Sequence, residues 1–95
     1  MYVLLMQMTD EGIKNIKAAP QRLQEGIKAF EGMGGKVHVM VATMGEYDYV
    51  GVGEAPSDEV ATAFAAALGS RGFVRTTSMR AYTPEEFGAI IGRLP

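Results

Sequence analysis

The chain has 95 residues, a net charge of −2 and a hydrophobic fraction of 47%. That length allows one domain with a single core, and a mean hydropathy of +0.05 with pI near 5.3 fits a soluble globular protein without the basic footprint nucleic acid requires. Cysteine is absent and His38 is the sole histidine, which excludes disulfides, thiolate metal sites, cysteine nucleophiles and a multi-histidine zinc site within one chain. No metal and no cofactor are expected.

Tyr2 to Met8 reads as a β-run. Its apolar opening is interrupted at Gln7, is too short for a membrane span and has no basic region before it. No membrane partner is expected, and a cytoplasmic location is the default. Thr9 or Asp10 caps a helical stretch in which Ile13, Ile16, Leu23, Ile27 and Phe30 recur at helical spacing. Pro20 lacks a backbone donor, so it predicts a kink or the start of a second segment. Gly34-Gly35 stops the helix.

Lys36 to Met44 then alternates, with Val37, Val39 and Val41 on one side and His38, Met40, Ala42 and Met44 on the other. Tyr47 to Glu54 is a third strand. Ser57-Asp58-Glu59 caps a second helix seamed by Val60, Phe64 and Leu68, and Gly69 and Gly72 end it. Phe73 to Tyr82 gives a fourth strand. Thr83-Pro84-Glu85-Glu86 combines a cap, a proline at the first helical position and a glutamate three residues after the cap. Phe87, Ile90, Ile91 and Leu94 give this tail helix an apolar side. Residues 1–95 form one domain with no repeat or linker.

The order β-α-β-β-α-β with a short C-terminal helix predicts an α+β, ferredoxin-like sandwich. Both main helices cover one face of a four-stranded antiparallel sheet, and the other face is left open. Gly45 suits a two-residue turn over Gly45-Glu46. That register pairs Met44 with Tyr47, Ala42 with Tyr49, Met40 with Gly51 and His38 with Gly53, and sets Val41–Val50 and Val39–Val52 on the opposite face. The valine face is expected under the helices. The open face then carries His38, Met40, Met44, Tyr47 and Tyr49 around the bare backbone of Gly51 and Gly53, and a second copy of the chain is the economical cover.

Two readings of the glycines stand: partner side chains fill their gap, or a cavity floored by glycine backbone takes a small ligand. In the second reading Tyr49, Gly51, Gly53, Met40, Arg75 and Gln7 line the site. Asp48 lies at the sheet end where the first helix begins. It is read as a structural acceptor for backbone N–H groups near Thr9 to Gly12, or as a partner of Thr43. His38 and Asp48 are the candidate catalytic groups should the chain be an enzyme. Arg75 pairs with a carboxylate of a second subunit or orients a ligand. Arg80 is read as a solvated edge-strand charge. The aromatic and basic-glycine signature of RNA-recognition modules is missing from "YDYVGVGE".

Gly45-Glu46-Tyr47-Asp48, Glu54-Ala55-Pro56, "VRTTSMRAYTPEEF" from Val74 to Phe87 and "TDEGIKNIKAAPQRL" from Thr9 to Leu23 together resemble the GYD domain family across nearly the whole chain. The family's G-x-Y-D signature maps onto Gly45, Tyr47 and Asp48. The resemblance implies a dimeric α+β barrel in which two open sheets face each other, and it brings no established activity, cofactor or catalytic residue. The resulting expectation is a homo-oligomeric module that binds or senses a small organic ligand. The alternatives are a small cofactor-free enzyme of monooxygenase or isomerase type, or a purely structural assembly protein.

Overall fold

The computed structural model describes residues 1–95. In chain order the elements are β1 (Tyr2–Met8), α1 (Asp10–Lys14), a 3-10 turn (Ile16–Ala18), α2 (Ala19–Gly32), β2 (Lys36–Ala42), β3 (Tyr49–Glu54), α3 (Asp58–Ser70), β4 (Val74–Arg80) and α4 (Pro84–Ile91). The four strands form one antiparallel sheet in the order β2-β3-β1-β4, the ferredoxin-like arrangement. The break before Pro20 divides the first helical stretch, as the missing proline donor predicts. Ile13 and Ile16 belong to the detached first part and are more than half exposed.

The helix starts are set locally. The Thr9 side chain accepts the Gly12 N–H, and Ser57 does the same for Val60. Thr83 and Glu86 form a complete capping box, in which the Glu86 carboxylate accepts the Thr83 N–H at 2.9 Å and the Thr83 hydroxyl accepts the Glu86 N–H at 3.1 Å.

The core consists of Tyr2, Leu4 and Met6 of β1, Tyr49 of β3, Phe30 of α2 and Phe64 of α3. The helices therefore cover the face that carries Tyr49, Gly51 and Gly53, and the expected orientation of the sheet is inverted. Phe30 is the reason. A Cβ added at Gly53 would stand 3.2 Å from the Phe30 ring and 2.7 Å from the Lys36 carbonyl oxygen, and one at Gly35 would meet the same ring at 2.5 Å. The ring lies against bare backbone on two sides, so the glycines must face the helix that carries it. Phe64 packs on Phe30 with ring centroids 4.8 Å apart.

Val3, Leu5, Val50 and Val52 thus point away from the helices, where they are half-buried, and Val39, Val41 and Met79 on the same side are exposed. Met44 lies beyond the strand and is 98% exposed. α4 takes no part in the main packing between elements; Phe87, Ile90 and Ile91 are exposed on it, and Leu94, beyond its end, is exposed too.

The register Ala42–Tyr49, Val41–Val50, Met40–Gly51 and Val39–Val52 is observed as expected. It shifts between Val37 and Val39, where a bulge sets Val37 in place of His38 opposite Gly53. The turn is also wider than two residues. Gly45 has φ +106, suited to glycine, but the last pairing is from the Thr43 N–H to the Asp48 carbonyl at 2.8 Å, leaving residues 44–47 as the loop. Contacts to β1, described below, hold that loop open.

Gly53→Ala should lower stability by about 1–3 kcal/mol, since a backbone carbonyl cannot yield to the new methyl group. Gly51→Ala should cost less, because its added Cβ meets only the mobile end of Met40, at 2.9 Å from Cε. Chemical denaturation of the two variants checks the difference.

The capping box carries a pH dependence. The Thr83 backbone N–H, followed by its side chain, holds Glu86 below the usual carboxylate value. Since the folded value lies below the unfolded one, the stabilisation is present above the unfolded value and is lost as pH falls through the folded one. Amide protection factors over Phe87 to Ile91, taken against the intrinsic exchange rate at each pH, should fall on acidification while β1 and β3 stay protected, and Glu86→Gln should remove that dependence.

Candidate functional site

Two recesses flank the sheet, one on each side. The more enclosed of the two lies between the sheet and the α2/α3 pair and has a cavity volume of about 90 Å³ in a mostly apolar lining. Its floor includes Met6, Met40, Tyr49 and Gly51. Leu23 and Ile27 of α2 and Phe64 and Leu68 of α3 form the roof. The helices run antiparallel and meet at Phe30–Phe64, and a Cβ at Gly26 would lie 3.9 Å from Leu68. Beyond that contact Arg22, Arg71 and Phe73 line the cleft. The Arg22 guanidinium stacks 4.4 Å from the centre of the Phe73 ring and donates to the carbonyls of Asn15 (2.9 Å) and Gly12 (3.3 Å). It thereby fixes the approach to α2. No Asp or Glu lines this cleft.

Tyr49, Gly51, Gly53 and Met40 come together here, under the helices and not on the open face where they were expected. The glycine gap is filled from within the chain: Phe30 lies over Gly53, and Met40 lies over Gly51. Gln7 and Arg75 are on the other side of the sheet. They sit directly opposite each other on β1 and β4, in a shallow polar recess shared with Asp10, Glu46 and Asp48. The six candidate ligand residues therefore divide into two groups on opposite faces.

Asp48 acts as a clasp between β3 and β1. Its N–H donates to the Met6 carbonyl and its carboxylate accepts the Met8 N–H, at 2.8 and 2.7 Å. The acceptor role matches expectation, one residue short of the Thr9 to Gly12 stretch proposed for it. Gln7 adds a second tie through its side-chain amide, which donates to the Glu46 carbonyl at 2.8 Å. Together they hold the 44–47 loop against β1, which accounts for its width.

His38, bulged out of the ladder on the edge strand β2, has its Nε2 2.8 Å from Glu54 in an exposed pair. Neither His38 nor Asp48 lines the cleft. Arg80 is not a merely solvated charge. It lies 3.6 Å from Asp58 and over the rings of Tyr2 and Tyr82. The Tyr2 hydroxyl donates to the same Asp58 carboxylate, and this hydrogen bond, followed by burial, raises the phenol above its ordinary value. The Tyr2–Asp58–Arg80 group thus fastens the start of β1 and the end of β4 to the first turn of α3.

The cleft residues Arg22, Arg71 and Phe73 were missed by sequence reasoning. Leu23, Ile27 and Phe30 lie on the recognisable helical stripe, but nothing local links Arg22 to Arg71, which the antiparallel helix pair alone brings to one recess.

The GYD domain family matches residues 2–91, and the chain belongs to that family. A relative from Thermus thermophilus, the "Glutamine synthetase and cystathionine beta-lyase binding protein", is 31% identical over 81 residues, covering 84% of this chain and 85% of the relative. No solved structure matches the chain significantly.

Asp48→Asn should fold but lose about 1–2 kcal/mol, the difference between a charged and a neutral acceptor for a partly buried N–H. Equilibrium unfolding checks the loss, and faster exchange of the Met8 amide should accompany it.

Proposed function

We propose that this member of the GYD family is a homo-oligomeric binding module, in which a second copy covers the open sheet face and a small organic ligand enters the cleft beneath the helices. The observation that carries the reading is the cleft itself, an apolar recess with a few polar groups at one end. The self-association rests on the sheet's other side, where Val39, Val41 and Met79 are exposed beside half-buried Val3, Leu5, Val50 and Val52. A continuous apolar sheet face of this kind is poorly suited to water. The apolar side of α4 adds to the surface that a second copy can bury.

A protein partner is the second reading, and the Thermus relative favours it, since its name states that it binds two enzymes. In that case the same module presents α4 or the open face to another protein. The cofactor-free enzyme has less support, because His38 and Asp48 are both engaged outside the cleft. A purely structural assembly role leaves the cleft without a use.

Val41→Glu places a charge on the open face, so light scattering should show a smaller species than wild type, with the cleft unaffected. Wild-type protein that is monomeric at micromolar concentration would remove the homo-oligomer from the proposal. For the ligand, native mass spectrometry of freshly purified protein should show a bound small molecule that Gly51→Val diminishes, because the new side chain pushes Met40 into the cleft. A small molecule retained equally by wild type and Gly51→Val would move the site elsewhere.

A further inference from the structure

The cleft has an uneven distribution of charge. Arg22 and Arg71 both line it, and neither has a carboxylate within ion-pair distance: the ion pairs of the chain are Lys14–Glu11, His38–Glu54 and Arg80–Asp58. Arg71, at the C-terminal end of α3, is exposed and interacts favourably with the helix dipole. Arg22 is held by the Phe73 ring and two backbone carbonyls, so each cation has a place in the fold but neither has a counter-charge. Arg22 spends one N–H each on the Asn15 and Gly12 carbonyls, and a guanidinium has five to give.

Tyr49 is an independent observation. The residue is only 8% exposed and lines the cleft, yet its hydroxyl has no hydrogen-bond partner within the chain. A buried tyrosine hydroxyl ordinarily finds one. It is not sealed off, either, since the Thr76 hydroxyl is the enclosed side-chain polar atom without a partner. The Tyr49 hydroxyl therefore reaches open space. Tyr49 pairs with Met6, two residues along β1 from the Met8–Val74 pair that precedes the cation end, so it stands toward that end of the floor.

Resting on the proposal that the cleft takes a small ligand, we infer that the ligand is a short amphipathic organic anion, with its apolar chain between Met6, Leu23, Met40 and Leu68 and its carboxylate toward Arg22, Arg71 and Tyr49. The cavity volume of about 90 Å³ is small for a ligand site, so the enclosed part of the chain is short. The Met40 end, which lies over Gly51, is the wall most able to move. A cationic or zwitterionic ligand would meet two arginines with no acid to compensate, which selects against it.

Hexanoate, hexan-1-ol and hexylamine, titrated calorimetrically into the full-length protein at low salt, separate the contributions of chain and charge. Hexanoate should bind about tenfold more tightly than hexan-1-ol, hexylamine should bind most weakly, and all binding should shift the methyl resonances of Leu23, Met40 and Leu68. Arg71→Gln, whose fold is checked by thermal melting, should cut the advantage of hexanoate over hexan-1-ol to about threefold and leave the alcohol unchanged. Tyr49→Phe should weaken hexanoate further. If hexan-1-ol matches hexanoate in the wild type, or Arg71→Gln leaves their ratio intact, the anion class is overturned while the cleft remains a ligand site. If none of the three probes moves those methyl resonances, the cleft reading falls along with it.

Discussion

The seat of one aromatic ring governs which side of the sheet is buried. Phe30 lies where Gly53 and Gly35 leave backbone uncovered, and any side chain at either position would intrude on the ring. Burying an aromatic of this size is worth about 1.5–3 kcal/mol, and here the burial is possible from one face alone. Once Phe30 is placed, Phe64 stacks beside it, Tyr2, Leu4 and Met6 supply the floor, and the alternating side chains of β3 send Val50 and Val52 outward. The cleft and the open valine face are both consequences of that choice.

β1 is the strand that distributes the constraint. It lies between β3 and β4, and its two ends are fastened by polar groups of different kinds. At its C-terminal end the Asp48 clasp and the Gln7–Glu46 contact hold the 44–47 loop. At the other end Tyr2 meets Asp58, which Arg80 also approaches. The Gly-x-Tyr-Asp stretch is thus architecture: Gly45 supplies the left-handed residue of the loop, and Asp48 saturates the backbone where β1 gives way to α1.

Much of this was legible in the sequence. Helix caps at Thr9, Ser57 and Thr83, the break at Pro20 and the antiparallel register from Val39 to Ala42 follow from local rules, and those rules held. The covered face was not legible, because alternation says that two faces differ without saying which is inside. Val37, Val39 and Val41 look like a core row, while a row of glycine and methionine looks like a gap. Only a ring from a distant helix turns that gap into the better-packed side. The bulge at His38 was hidden for a related reason. It lets Val37, and not His38, face the glycine side, and no turn or proline marks it. The cation end of the cleft arises from the antiparallel pairing of α2 with α3, a tertiary relation between positions 49 residues apart in number (22 and 71).

The inversion also changes what the glycines mean for binding. With Gly51 and Gly53 on an open face, a second copy and a small ligand would compete for the same gap. With the glycines under the helices, Phe30 and Met40 occupy the space over them, and the proposed oligomer surface lies on the far side of the same strands. Self-association then leaves the cleft accessible, and a ligand need not displace a subunit in order to bind. The filling of the gap is itself uneven. Phe30 is a rigid ring wedged against backbone at Gly53, whereas Met40 reaches Gly51 with the end of an unbranched, adaptable side chain. The Gly53 side is therefore the fixed wall of the core, and the Gly51 side is where the cleft can enlarge, next to Tyr49 and toward the two arginines.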